Sequence, residues 1–261
     1  MNFLTSNKSI SITVIASLIL LGFFYIAGAT KKTPVPDGNL PPVTKTDGLY
    51  SAFQGVQSPE AVYLSLKLDK GTAELTSRNL ADNKPTVEAG TYKDTATTLS
   101  VSLTSKDGQP QPSARVLEFT KTEDTLTITN IREAGFGPQT VMFYKPKQEL
   151  ANTSWYWERS EYANDTKVEP ADKTKFKLTF KPDGSFDSST DCNSLSGNYY
   201  IAGTEIKFTT MMSTLMFCDG SLESEYSKDL REIYTYMLEG DKLVLTLPID
   251  SGTMQFIKAQ N

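Results

Sequence analysis

The chain has 261 residues, a formal charge of −5, 22% charged and 38% hydrophobic residues; this suits folded globular domains and leaves no basic stripe for nucleic acid. Histidine is absent, which excludes His-dependent triads, histidine general bases and almost every usual zinc site. Carboxylate chemistry and calcium remain open on composition alone.

Residues 1–29 read as a signal peptide or a membrane anchor. Within them, residues 10–29 carry no charge and as a helix would span about 30 Å, the thickness of a bilayer core. That length favours an uncleaved anchor, whereas Lys8 upstream and Ala27-Gly28-Ala29 at the end suit a cleaved signal peptide. Both readings export the chain, so the expected location is the bacterial cell envelope: periplasmic, anchored in the inner membrane or released after cleavage. Residues 30–46 hold four prolines without apolar periodicity and read as an extended tether.

From residue 47 to 147 short alternating runs are separated by turn signals. Val62-Tyr63-Leu64-Ser65-Leu66-Lys67-Leu68 alternates with period two before Asp69-Lys70-Gly71, and Thr98-Leu99-Ser100-Val101-Ser102-Leu103 does so before Lys106-Asp107-Gly108. Leu126-Thr127-Ile128-Thr129 and Val141-Met142-Phe143-Tyr144 complete the set, while the prolines of Gly108-Gln109-Pro110-Gln111-Pro112 predict an exposed loop. In residues 148–261, Trp155-Tyr156-Trp157, Phe176 to Phe180 and Tyr199-Tyr200-Ile201 read as strands. One helix is predicted from Ser221 to about Ile233, with Leu222, Tyr226, Leu230 and Ile233 on one face and Glu223 and Glu225 in its first turn. A hairpin follows at Glu239-Gly240-Asp241. The fold class expected is all-β: two small antiparallel β-barrel-like domains in tandem, the second with one short helix, after the N-terminal transmembrane or signal helix.

The chain's two cysteines, Cys192 and Cys218, read as a disulfide in an exported protein, against a metal thiolate pair or a reactive nucleophile. Asp183, Asp187 and Asp191 recur every four residues, but the spacing is not an EF-hand loop and solvated turn positions account for them. Glu223 and Glu225 stand two apart on a helix and point in different directions, unlike a glycosidase pair. Trp155 and Trp157, joined by Tyr199, are a candidate ligand surface, although such aromatics more often fill a core. Met211, Met212, Met216 and Phe217 read as core packing beside the disulfide, against an adaptable binding surface or a thioether site for copper(I). No catalytic residue, metal or cofactor is indicated, and the chain is expected not to be an enzyme.

Asp191-Cys192-Asn193-Ser194-Leu195-Ser196-Gly197-Asn198-Tyr199 followed by Ser213-Thr214-Leu215-Met216-Phe217-Cys218 resembles the META domain, also called the HslJ-type domain. The opening Asn152-Thr153-Ser154-Trp155 and the hairpin Gly240-Asp241-Lys242-Leu243-Val244-Leu245 extend the resemblance over residues 150–258. The motif positions carried over are Asp191, Asn193, Ser196, Gly197, Thr214 and Met216, with Asp191 standing where the family has Gly. Residues 47–147 resemble more loosely the N-terminal domain of NlpE-like envelope lipoproteins, through Asp47-Gly48-Leu49-Tyr50, the run to Leu68 and Gly90-Thr91-Tyr92. That family's Cys-x-x-Cys has no counterpart near residues 57–60. The resemblances imply small antiparallel barrels and an envelope protein linked to stress or antibiotic tolerance. The expected partner is an unknown envelope protein or a small apolar ligand, with membrane contact through residues 10–29. A small-ligand carrier, or an inhibitor of a secreted hydrolase using the loop closed by the cysteines, are the alternatives.

Overall fold

The computed structural model describes residues 46–260. The expected N-terminal helix, and the tether as far as residue 45, lie outside the described residues. Among the described residues no helix is long and apolar enough to cross a membrane.

Eight strands follow one another in chain order: β1 (Gly48–Gln54), β2 (Val62–Asp69), β3 (Thr72–Asn79), β4 (Pro85–Asp94), β5 (Thr98–Lys106), β6 (Gln109–Lys121), β7 (Thr125–Ile128) and β8 (Met142–Tyr144). Each pairs antiparallel with the next, and β8 returns to β1 at Ser51↔Tyr144, so the sheet is a closed barrel. The alternation in the sequence fills it: Leu64, Leu66 and Leu68 from β2 meet Leu99, Val101 and Leu103 from β5 in one buried cluster. Lys70 and Gly71 both adopt positive φ, as do Asp107 and Gly108; these two-residue turns twist the way paired strands require.

One expectation is corrected here. The proline-bearing stretch after Gly108 is not a loop but the exposed start of β6, which runs Gln109–Lys121. Its ladder to β5 is interrupted between Ser105↔Pro110 and Leu103↔Arg115, and β7 pairs only with Phe119–Lys121. The prolines thus lie where one edge of the strand has no ladder to lose.

The remaining strands are β9 (Thr153–Tyr162), β10 (Lys167–Val168), β11 (Lys177–Phe180), β12 (Ser185–Ser189), β13 (Ser194–Ala202), β14 (Glu205–Ser213), β15 (Thr235–Glu239), β16 (Lys242–Thr246) and β17 (Gly252–Lys258), with helix α1 (Glu223–Glu232) between β14 and β15. They form a nine-stranded antiparallel sheet in which β17 also pairs with β9 along Trp155↔Lys258 to Tyr162↔Gly252. Between β14 and β15 the ladder is one pair, Glu205↔Thr235. The helix matches its predicted span and face: Tyr226, Leu230 and Ile233 are buried. Tyr226 places its ring 5.2 Å from that of Trp157 and 5.4 Å from that of Phe176.

The two sheets pack together. The Tyr63 and Tyr200 rings lie 4.8 Å apart, Ser51 Oγ donates to the Ile201 carbonyl at 2.9 Å, and Tyr200 donates to Asn83 Oδ1 at 3.3 Å. Phe53, Val56, Ala61, Leu80 and Ala202 form a small apolar cluster there.

Candidate functional site

Cys192 and Cys218 form a disulfide with a sequence separation of 26. This removes the thiolate-metal and nucleophile readings, and among the described residues no group of three or more His, Cys, Asp or Glu is placed to hold a metal. Asp183 accepts from the amide and hydroxyl of Ser185, and Asp187 pairs with Lys181 at 2.6 Å, so both belong to a turn and its strand.

Asn193 organises the closed loop. It is buried, and its Oδ1 accepts from the Met216 amide at 2.9 Å and from Thr214 Oγ1 at 2.7 Å. Its Nδ2 lies 2.9 Å from the Met216 carbonyl and 2.8 Å from Glu223 Oε2, donating to both. Glu223 in turn accepts from Ser213 Oγ at 2.9 Å through its other oxygen. An amide has two donors and a two-lone-pair acceptor, and here all of them are used. Asp191 reaches across to the start of α1, accepting from Ser221 Oγ at 2.5 Å and from the Leu222 amide at 3.1 Å; it thus satisfies a helix-terminal N–H from outside the helix.

Gly197 marks the register shift between β13 and β14, opposite Thr210 and Met211. A Cβ there would stand 2.6 Å from the Thr209 carbonyl oxygen and 2.8 Å from the Phe186 ring, so glycine is required by close approach. Ser196 pairs with Met212 across the same hairpin. The six motif positions therefore converge on one structure, the hairpin end and the loop after it.

Of the side chains expected in the core, Met211 is partly buried against it, but Met212, near the end of β14, and Met216 and Phe217 in the loop are exposed. Leu215 is 99% exposed, Phe217 91%, Met212 68% and Met216 61%. Residues 211–217 carry no charge. The physical reason lies in the backbone: the amide and the carbonyl of Met216 are held by Asn193 and Cys218 is tied to Cys192, which fixes the segment in a course that presents these side chains to solvent. Open grooves flank the tip. One, of about 570 Å³, runs along Lys177, Asp187, Ser196 and Met212; the other, of about 480 Å³, lies between the loop and the α1 residues Ser224, Ser227 and Arg231.

The aromatic candidates do not form a ligand surface. Trp155 and Trp157 are buried in the core, and Tyr199 sets its ring 5.0 Å from Phe180 while donating to the Lys181 carbonyl at 2.7 Å. Sequence reasoning missed Glu223 as a partner of Asn193, and the exposure of Leu215. The available signal was the uncharged run ending at Cys218, since a disulfide so close to an apolar segment can hold it outward. It also missed Asp229, which is buried and accepts from Ser160 Oγ at 2.9 Å and Tyr162 Oη at 2.6 Å.

Residues 148–261 match the family model of the META domain. Among solved structures, an NMR structure of a protein from Burkholderia xenovorans is 24% identical, covering 44% of this chain and 86% of that one, with a TM-score of 0.38. A crystal structure of a DUF4847 family protein from Bacteroides vulgatus is 17% identical over 44% of this chain and 97% of that one, with a TM-score of 0.35. No curated protein matches the chain.

Proposed function

We propose that the chain is a non-enzymatic interaction module of the bacterial cell envelope, membrane-held through residues 10–29, which docks a partner protein through the tip Met212, Leu215, Met216 and Phe217. The observation that carries this reading is the near-complete exposure of Leu215 and Phe217 on a backbone fixed by Asn193 and the disulfide. Burying a Leu or Phe side chain contributes about 1.5–3 kcal/mol each, and a rigid loop loses little conformational freedom when it binds. The partner chemistry that fits is an apolar cleft in another envelope protein, with the polar flanks Lys177, Asp187 and Arg231 at the rim. A role in envelope stress or antibiotic tolerance follows from the family resemblance.

The same rigid projecting loop favours a second reading, in which the partner is a secreted hydrolase that the loop inhibits. A carrier for an apolar ligand draws less support, because Trp157, Phe176, Tyr226 and Phe256 fill the centre of the second sheet. The experiment is capture from envelope extract with the oxidised chain and with Leu215→Ser/Phe217→Ser, each shown to be folded by its thermal transition. Loss of one defined protein in the variant supports docking through the tip; an unchanged set of partners overturns it. A small molecule co-purifying stoichiometrically without a protein would make the chain a carrier.

A further inference from the structure

The tip carries sulfur as well as hydrocarbon. Both cysteines of the chain are joined in the disulfide, so no thiol stands ready to intercept an oxidant. The next sulfur on the oxidation ladder is the methionine thioether. Seven methionines occur in the sequence, and the exposure of the described ones is uneven: Met212 is 68% exposed and Met216 61%, against 49% for Met237, 38% for Met142 and none for Met254. Met142 accepts from the Tyr144 hydroxyl at 3.7 Å and, like Met237, sits on a strand away from the loop. Met212, near the end of β14, and Met216, between Leu215 and Phe217, lie in one uncharged segment. Asn193 holds both backbone groups of Met216, and on that backbone its side chain stands 61% exposed.

We propose that Met212 and Met216 form a reversible oxidation site, at which a peroxide or hypohalous acid converts the apolar tip into a polar one and so withdraws the docking surface. The proposal rests on the docking reading above. With hydrogen peroxide the step is oxygen transfer: the thioether sulfur attacks one peroxide oxygen, the O–O bond breaks, sulfur gives up two electrons and forms the S–O bond, and water leaves. Reversal consumes two thiols of a methionine sulfoxide reductase, which supply two electrons and two protons, yielding the thioether, water and a disulfide. Each sulfoxide places a strong dipole and acceptor among Leu215 and Phe217, where an apolar cleft has no donor to meet it.

The test uses the full-length chain in lipid nanodiscs, treated with dilute hydrogen peroxide and mapped by peptide mass spectrometry. Met212 and Met216 are expected to gain oxygen at least about tenfold faster than Met254. Photolabelling of residues 212–217 by a soluble aryl diazirine is expected to fall about threefold on oxidation and to recover after sulfoxide reductase treatment. Met212→Leu/Met216→Leu should keep full labelling through the same treatment. Equal oxidation of Met216 and Met254 overturns the site. Strong labelling that oxidation leaves unchanged overturns the switch alone. Weak labelling of the untreated chain, no greater than that of Phe217→Ser, removes the docking surface on which the switch depends.

Discussion

Asn193 grips the backbone of Met216 twice, accepting from its amide and donating to its carbonyl, each at 2.9 Å. A residue beside one half of the disulfide thereby sets the course of the segment that ends at the other half. Asn193→Ala would leave those groups, Thr214 Oγ1 and Glu223 without this partner. We expect a loss of about 1–3 kcal/mol in urea unfolding. Asn193→Asp should cost more at pH 8 than at pH 4, because it sets a second carboxylate against Glu223, and protonating one of the two allows them to share a hydrogen bond. An Asp variant equally stable at both pH values would mean that Glu223 is not held at this position.

Burial pushes the Glu205 carboxyl from its ordinary 4.5 up to about 7. A raised carboxyl pKa means that the folded chain binds the proton more tightly than the unfolded chain does. Stability from this group is therefore highest at low pH and falls as pH rises from about 4.5 through about 7. Glu205→Gln should flatten that fall and be more stable than the parent at pH 8, with little difference at pH 4. Denaturant midpoints at the two pH values read this directly, and a parent whose midpoint does not fall across the window sinks it.

Tyr162 titrates high, its phenol pushed up to about 12 by burial first and then by its hydrogen bond to Asp229. Asp229→Asn removes the negative charge while keeping an acceptor, so the phenol should ionise at lower pH, followed by carbon NMR of labelled tyrosine. Asp229→Ala should instead leave the Ser160 and Tyr162 hydroxyls without an acceptor in a buried site, costing about 1–3 kcal/mol. If the two variants are equally stable, the acceptor contributes nothing.

Reducing Cys192–Cys218, or replacing both residues by Ala, should lower stability by about 3–4 kcal/mol on the chain-entropy account of a loop of this length. Limited proteolysis should then cut first within residues 212–218. Cleavage elsewhere before that segment would show that Asn193 holds the loop without help from the disulfide.

What the sequence discloses here is what neighbours in sequence decide. Leu64, Leu66 and Leu68 alternate and the turn residues Lys70 and Gly71 follow them, so β2 and β3 can be read directly. Leu222, Tyr226, Leu230 and Ile233 place the helix face for the same reason. Met216 and Phe217 are legible in the sequence as apolar residues beside a cysteine, for which core packing is preferred to a binding surface. Apolar side chains are ordinarily buried, and what holds these out is a contact from Asn193, more than twenty residues away. Glu223 reads as an acid in a first helical turn, while its partners Asn193 and Ser213 stand beside strand ends 30 and 10 residues earlier. The start of β6 misleads because proline excludes a ladder partner on only one side, and sequence does not say which side is empty.

The pairing of β17 with β9 joins residues about a hundred positions apart, so the second sheet rests on its most distant contact in sequence. A ribosome making this chain has delivered every other strand before that contact can form. Trp155 and Trp157 must therefore wait, with nothing to cover that flank, until residues 252–258 have emerged. Synthesis halted before them leaves an open sheet with an uncovered core, a product that quality-control proteases can recognise. Closure of the second sheet thus depends on β17.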